Sequence, residues 1–539
     1  MKKTLFTTGL LSILLASLAS CGETTPATPV DTDELPMSFE TATDYEIVDS
    51  SNKEGSMHYE VFVRSFYDSN KNGIGDLNGL KEKLPYLADM GYRSLWLMPI
   101  MPSPTYHGYD VTDYFAVNKE FGTIDDFDAL VAEAKKYNID IIIDLVLNHC
   151  SIKHPYFTSS YEDYIAGKEG EDSKADWFNW GPGGQNKYKD VFYESRFGGD
   201  MPDFNLDSKG VRKEIDKIVK FWIGHGVKGF RLDAVLYYYY NNTTQNIAFL
   251  DWLEDLCHSY DPNFYMVGEC WVGDGALNPY FASKLDSYFR FGNATGGDSN
   301  FINMIKGYTR CDLIAETVEA NEKSRAKSNP DSYSSYFLSN HDQDRIAKNF
   351  QTDEVYKAAC SLYTLLPGVS YTYYGEEIAM KGTRKTGLND DLSDARRRLP
   401  MIWSENDKTG QCVFPEASRP ELAANDQVKK GVLDQLEEPF SLIKHYKMMI
   451  HLRNKYPWIK KATFTSLCDD LKTDERSVMA YRLSSGSDSL TIVHNFASHN
   501  VEVEALGDTI LHQINTSHRI PTIKDGKLRL GAFSSVILK

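Results

Sequence analysis

From residue 57 onward, short apolar runs alternate with longer stretches whose apolar residues recur at helical spacing. That is the pattern of a parallel sheet assembled from βα units. Eight runs read as strands: Met57–Phe66, Ser94–Ile100, Asp140–Leu147, Val227–Val235, Asn263–Cys270, Ser287–Phe291, Ser335–Asn340 and Gly368–Tyr374. Helices are predicted over Leu80–Met90, Asp125–Tyr137, Val211–Gly224, Ile247–Tyr260, Val355–Leu366 and, after the last strand, Phe440–Asn454. The expected fold is α/β, a (β/α)8 barrel with insertions. Two intervals are too long for simple connections. His149–Ser208, rich in Gly, Asp, Tyr and Trp, reads as an inserted domain, and Ala379–Glu438 is expected to fold over the barrel mouth. After Tyr456-Pro457 the helical period gives way to short alternating runs (Ser477–Leu483, Leu490–Phe496, Val501–Ala505, Ile510–Ile514, Ser534–Leu538), which predict a small antiparallel β domain. The barrel is thus assigned to 51–148 and 208–456, the insertion to 149–207 and the β domain to 457–539.

The first residues break this pattern. Lys2 and Lys3 precede an apolar run from Leu10 to Leu18, the length of a signal-peptide core and too short to cross a bilayer. It ends in Leu18-Ala19-Ser20-Cys21, which resembles the bacterial lipobox, so that 1–20 is expected to be removed and Cys21 lipidated. An ordinary signal peptide with an incidental cysteine is the competing reading. Residues 21–50 include a Pro-, Thr-, Asp- and Glu-containing stretch without Lys or Arg and read as a flexible tether. The expected location is the bacterial cell surface or membrane, held by a lipid anchor.

Composition adds exclusions. A formal net charge of -18 argues against nucleic acid as a partner, since phosphate binding needs a basic surface. Apart from Cys21 the chain has seven cysteines, Cys150, Cys257, Cys270, Cys311, Cys360, Cys412 and Cys468, with no CxxC spacing and no paired framework. They read mostly as buried thiols, with Cys150 and Cys270 open to reaction because each follows a candidate site motif.

The candidate chemistry lies at strand ends. In Gly229–Val235, Arg231 and Asp233 are two residues apart and therefore share a face of the strand, which sets opposite charges side by side where burial is costly. Such a pair is compatible with a purely structural role. Two further runs, Phe264–Glu269 and Tyr336–Asp342, also end in a carboxylate. Three strands ending this way point to one site. Retaining glycoside hydrolysis needs an ionised carboxylate as nucleophile and a protonated carboxyl as acid. Asp233, oriented by Arg231, suits the first role, and Glu269, among Val267, Cys270 and Trp271, would have its pKa raised by desolvation and suits the second. Asp342 remains for sugar hydroxyls and the cationic transition state.

Asp144-Leu145-Val146-Leu147-Asn148-His149, Gly229–Val235, Val267-Gly268-Glu269 and Phe337–Asp342 resemble, in order and spacing, the four signature regions of the α-amylase family of glycoside hydrolases, family 13. Met201-Pro202-Asp203-Phe204-Asn205 resembles that family's extra MPDLN-type region, found in members intermediate between oligo-1,6-glucosidases and neopullulanases. The resemblance implies the same roles for Asp233 (nucleophile), Glu269 (acid/base) and Asp342 (transition-state stabiliser). It implies substrate contacts from His149 and His341, read as neutral donors, from Arg231, and from the Tyr106-His107-Gly108-Tyr109-Asp110 loop, where Tyr109 would be a stacking platform beside the scissile bond and His107 and Asp110 its companions. Arg398, in Arg398-Leu399-Pro400-Met401, resembles the arginine that closes the glycone end of the cleft, against the alternative of a surface residue.

Asp68, Asn70, Asn72 and Asp76 stand at positions 1, 3, 5 and 9 of a loop with Gly73 at 6, an EF-hand-like spacing without the glutamate at 12. With Ile74 it resembles the family's structural Ca²⁺ loop. A second Ca²⁺ on Asn148 and Asp203 is suggested by resemblance to many amylases, although the family's Lys-His after the nucleophile segment is replaced by Leu236-Tyr237. Ala234, where oligo-1,6-glucosidases resemble one another in having valine, and Met201 in place of glutamine point to α-1,4 bonds. The expectation is a monomeric endo-acting α-amylase on starch and maltooligosaccharides. Neopullulanase-like, maltogenic or oligo-1,6-glucosidase activity is the alternative, and a non-catalytic glycan-binding lipoprotein the remote one.

Overall fold

The computed structural model describes Leu35 and residues 55–296, 299–350, 352–385, 391–414, 427–516 and 519–539. The signal segment 1–20, Cys21 and nearly all of the expected tether lie outside the described residues. Among those described, no helix is long and apolar enough to cross a membrane.

Eight parallel strands close into a barrel: β1 (Met57–Val61), β2 (Ser94–Leu97), β3 (Asp140–Leu145), β4 (Gly229–Leu232), β5 (Tyr265–Gly268), β6 (Ser287–Phe289), β7 (Tyr333–Phe337) and β8 (Val369–Tyr373). Each pairs with its neighbour in chain order, and β8 returns to β1 with Met57 opposite Ser370. Alternation along the strands sends one set of side chains outward against the helices and the other into the barrel. Inside, Trp96, Ile142, Val267, Phe289, Phe337 and Tyr371, from six different strands, pack into a dry floor. The charged residues of β1, β3 and β4 sit above it.

Local signals explain the helices. Thr123 caps Ile124–Lys136 through a reciprocal box with Asp126, and Ser208 caps Lys209–Gly224, which buries Val211, Ile215, Ile218, Val219 and Trp222 along one stripe. The helix expected over Leu80–Met90 is two helices, Leu77–Glu82 and Leu84–Met90, because Pro85 fits only in the first turn of a new one. A helix over Cys311–Ser328 was not expected. Its buried face includes Asn321, Glu322 and Arg325, and Glu322 binds Arg325 (2.8 Å), Ser334 Oγ (2.5 Å) and Tyr336 Oη (2.9 Å), so no apolar stripe announces it.

Between β3 and β4, helix Pro155–Ile165 and the hairpin Asn186–Tyr188/Val191–Tyr193 pack around Phe157, which meets Phe178 at 5.1 Å and Tyr193 at 5.0 Å between ring centres. The chain returns to the barrel beside β3, where Phe204 N donates to Asn148 O (2.9 Å) and Cys150 N to Pro202 O (3.2 Å). The C-terminal strands form a five-stranded antiparallel sheet (Thr463–Ser466, Val478–Ser485, Asp488–Asn495, Ser535–Leu538, Ile510–Ile514) and a three-stranded one (Val501–Glu504, Lys527–Leu530, Thr522–Lys524). Helix Cys311–Ser328 ties the barrel to the larger sheet, with Ser466 N donating to Glu319 Oε2 at 3.1 Å. The seven described cysteines are all free thiols. Cys150 and Cys270 are fully buried and burial raises both well above the ordinary thiol range, which removes the reactive reading.

Candidate active site

The register of β3, β4 and β5 brings three charged layers together: Asp144 lies opposite Arg231, and Leu232 opposite Gly268, so Asp233 and Glu269 emerge side by side. Arg231 is buried and binds three carboxylates at once. Its Nη1 donates to Asp144 Oδ1 (2.8 Å) and Asp233 Oδ1 (2.7 Å), and its Nη2 lies 3.0 Å from Glu269 Oε1. The Arg231–Asp233 pair follows from the sequence; the reach to Glu269 and Asp144 does not. Ala234 has a left-handed backbone (φ 52°) that turns its N–H onto Glu269 Oε2 at 2.9 Å. That conformation is tolerable for alanine and poor for a β-branched residue.

These groups line a cleft of about 570 Å³ at the C-terminal mouth of the barrel, together with Asp342, His107, Tyr109, His149, Trp271 and Arg398. Burial pushes the Glu269 carboxyl up to about 7; Arg231 opposes this, while Asp233 and Asp342 add to it. Burial would also raise Asp342, but His341 and Arg398 hold it well below the usual carboxylate range. Arg398 is buried rather than on the surface, with Nη2 donating to Asp342 Oδ1 (2.8 Å) and Nε to His341 O (3.1 Å).

Two expectations need adjustment. His341 is not a neutral donor. Its Nδ1 lies 2.5 Å from Glu60 Oε1 and its Nε2 3.0 Å from Asp342 Oδ2, and although burial alone would lower its pKa, these two carboxylates raise it to about 9. His149, by contrast, is lowered by burial, and its Nε2 has no protein partner at the edge of the cleft, as a neutral donor to a ligand requires. Asp110 does not line the cleft. It is buried and accepts hydrogen bonds from Ser103 Oγ (2.5 Å) and Thr105 Oγ1, which anchors the loop that presents Tyr109. His107, lowered to about 3 by burial, accepts from Tyr109 N at 3.0 Å, and Tyr109 Oη contacts Asp144 Oδ2 (3.1 Å) and His341 Nε2 (2.6 Å).

Sequence reasoning left Glu60, Asp144, Phe197, Arg384, Ser393 and Asp394 outside the site. The last four also line the cleft. Trp271 lies flat on Phe291 (4.7 Å, 15°), and Phe197 meets Tyr237 edge-on (4.7 Å), which itself stacks beside Tyr240 (5.8 Å, 19°). Arg196 lies over the Tyr240 ring and is fixed by Glu194 at 2.6 Å.

The residues proposed for metal divide. Asp68 accepts from the N–H groups of Asn70, Lys71, Asn72 and Gly73, and Asp76 from Ser69 and Gly79, so the loop is wrapped around two buried carboxylates. With Asn70, Asn72 and the Ile74 carbonyl this is an all-oxygen donor set, which fits a hard cation such as Ca²⁺ held for structure. Chelation is expected to lower the Tm of the wild type and to leave that of Asp68→Ala unchanged, a pair of thermal scans with and without EDTA being the check. Asn148 and Asp203 fit poorly. The Asn148 amide donates to Asp203 Oδ1 (3.0 Å), Arg196 N to Asp203 Oδ2 (3.1 Å), and the Arg196 guanidinium already binds neighbouring Glu194. Among the described residues there is no cluster of three His, Cys, Asp or Glu side chains suited to a metal.

A family model described as "Alpha amylase, catalytic domain" matches residues 60–462. The chain is 34% identical over 501 residues to Alpha-amylase 3 of Dictyoglomus thermophilum, covering 90% of this chain and 93% of that protein. It is 27% identical over 535 residues to an oligo-1,6-glucosidase of Parageobacillus thermoglucosidasius, covering 84% and 92%. The solved structure of Eubacterium rectale Amy13B superposes with a TM-score of 0.84 at 35% identity, over 95% of this chain and 99% of that one.

Proposed function

From the membership of this chain in the α-amylase family of glycoside hydrolases, we propose that it is a retaining, endo-acting α-amylase that cleaves internal α-1,4 bonds of starch and maltooligosaccharides. The observation that carries the catalytic reading is the Arg231 fork, which holds Asp233 and Glu269 on two nitrogens of one guanidinium. Asp233 attacks the anomeric carbon as a carboxylate. Glu269, whose burial keeps a proton on it to about pH 7, protonates the leaving oxygen and then takes a proton from the attacking water. Asp342, fixed by His341 and Arg398, faces the same cleft and stabilises the oxocarbenium-like charge.

The choice of α-1,4 bonds is supported by Ala234 and Met201, and that of long substrates by the aromatic faces of Trp271, Phe197 and Tyr237 along the cleft, on which further glucose rings can stack. Likeness to an oligo-1,6-glucosidase favours a second reading, action on short α-1,6-linked glucans. We further propose attachment to the cell surface through Cys21, supported by the lipobox-like Leu18–Cys21. The deciding experiment is the product profile of residues 22–539 on soluble starch, maltoheptaose, pullulan and panose. An early fall in starch viscosity with mixed maltooligosaccharides and intact panose is expected. Release of glucose or maltose from chain ends, or faster turnover of panose and pullulan, overturns the specificity and leaves the catalytic assignment standing.

A further inference from the structure

Both ring nitrogens of the buried His341 face carboxylate oxygens at hydrogen-bond distance, Nδ1 toward Glu60 and Nε2 toward Asp342. A neutral imidazole has only one N–H, so it would leave one of these contacts as two lone pairs pressed together. Glu60 lies on β1, where the period of two puts it with His58 on the inner face of the barrel; it is 1% exposed, and its Oε1 is also 3.4 Å from the His341 N–H. An ion there is costly unless it is paired, and His341 is the pairing that the structure provides. We propose that Glu60 is a positioning residue for the hydrolytic site, locking the His341 imidazole as a cation whose second N–H orients and charges Asp342.

Nε2 also lies 2.6 Å from Tyr109 Oη, which donates in turn to Asp144 Oδ2 at 3.1 Å, so the N–H of a protonated Nε2 is shared between Asp342 and this phenol. Around the ring, Tyr109 also stacks on it (5.6 Å, 16°), Asp144 is the nearest further carboxylate, His107 is uncharged, and Arg398 binds the His341 carbonyl. Trp96 closes the remaining side edge-on at 5.6 Å. Of these, Glu60 alone meets Nδ1 directly, so the charge of the ring is set from β1, on the opposite side of His341 from the cleft. The consequence is a site whose third carboxylate stays ionised in acid.

This assignment rests on the proposed role of Asp342, but one of its tests needs no turnover. In full-length enzyme with ¹⁵N-labelled histidine, the His341 resonances, assigned by their loss in His341→Gln, are expected to show two protonated nitrogens at pH 7. A neutral-tautomer spectrum overturns the proposal even if Glu60 variants fail to fold. Glu60→Gln keeps an acceptor of the same shape and removes the charge. The ring is then expected to be neutral at pH 7, kcat on maltoheptaose to fall about tenfold with KM changed less than about threefold, and the acid limb of kcat/KM to move up by about one pH unit. A Glu60→Gln enzyme with a cationic ring or an unmoved acid limb overturns it. Absence of hydrolysis by the wild type would instead refute the proposed function, while the spectrum still decides the state of His341.

Discussion

Asp233→Asn is expected to lower kcat on maltoheptaose by about 10⁴-fold or more, the scale seen when a covalent nucleophile is removed. The amide keeps the shape of the carboxylate and an oxygen for Arg231 Nη1 at the 2.7 Å contact, so the loss reports chemistry and not collapse. KM should change far less, because His107, His149 and Trp271 continue to line the cleft. Glu269→Gln makes a second, distinguishable defect. It removes the proton donor, so turnover of a poor leaving group such as glucose should fall by about 10²–10⁴-fold, while an aryl α-glycoside, which leaves without help, is partly spared. The pH profile separates the two carboxyls further. With its folded pKa raised to about 7, Glu269 is protonated below that pH and loses its proton above it, so wild-type kcat/KM should fall on the alkaline side near pH 7. Glu269→Gln should lack that limb. Unchanged turnover in Asp233→Asn would revive a non-catalytic glycan-binding role or another nucleophile.

The barrel was legible because its strands are short apolar runs set between amphipathic helices, and the catalytic face was legible because Arg231 and Asp233 stand two apart on a strand. What the sequence hid has a common cause, charge satisfied by partners distant in the chain. Glu60 sits in a strand whose residues are all buried, and only the closure of the barrel reveals that His341, 281 positions away, neutralises it. The helix Cys311–Ser328 was missed for the same reason, since Glu322 and Arg325 occupy the face that an amphipathic pattern would mark as apolar. The charge of His341 could not be read either: its neighbour Asp342 was visible, but a single carboxylate does not require an imidazolium. Asp110 misled because its place in the loop motif matched the resemblance, whereas it accepts hydrogen bonds from Ser103 and Thr105 of its own loop.

Arg231→Gln is expected to be the most destabilising substitution in the barrel. The guanidinium touches Asp144, Asp233 and Glu269 while itself 1% exposed, so its removal leaves three carboxyls facing one another with no cation among them. Removing one partner of a buried ion pair typically costs about 3–5 kcal/mol, and here a single side chain serves three. Part of that cost can be avoided by proton uptake, which fixes its pH dependence. Burial already raises Asp144 to about 6 and Glu269 to about 7 against the opposing charge of Arg231, and losing that cation raises both further above their unfolded values, so the folded variant binds more protons than the unfolded chain. Stability is then retained in acid and lost as pH rises through the raised values. The Tm deficit of Arg231→Gln should therefore be smallest near pH 5 and widen toward pH 8, and thermal scans across that range check it. Arg231→Lys is the informative comparison. One ammonium supplies the charge but lacks the planar fork that meets Asp233 on one nitrogen and Glu269 on another, so it should recover much of the stability and little of the turnover. A lysine enzyme close to wild type in kcat would mean that charge alone, without the fork's geometry, sets the two catalytic carboxyls.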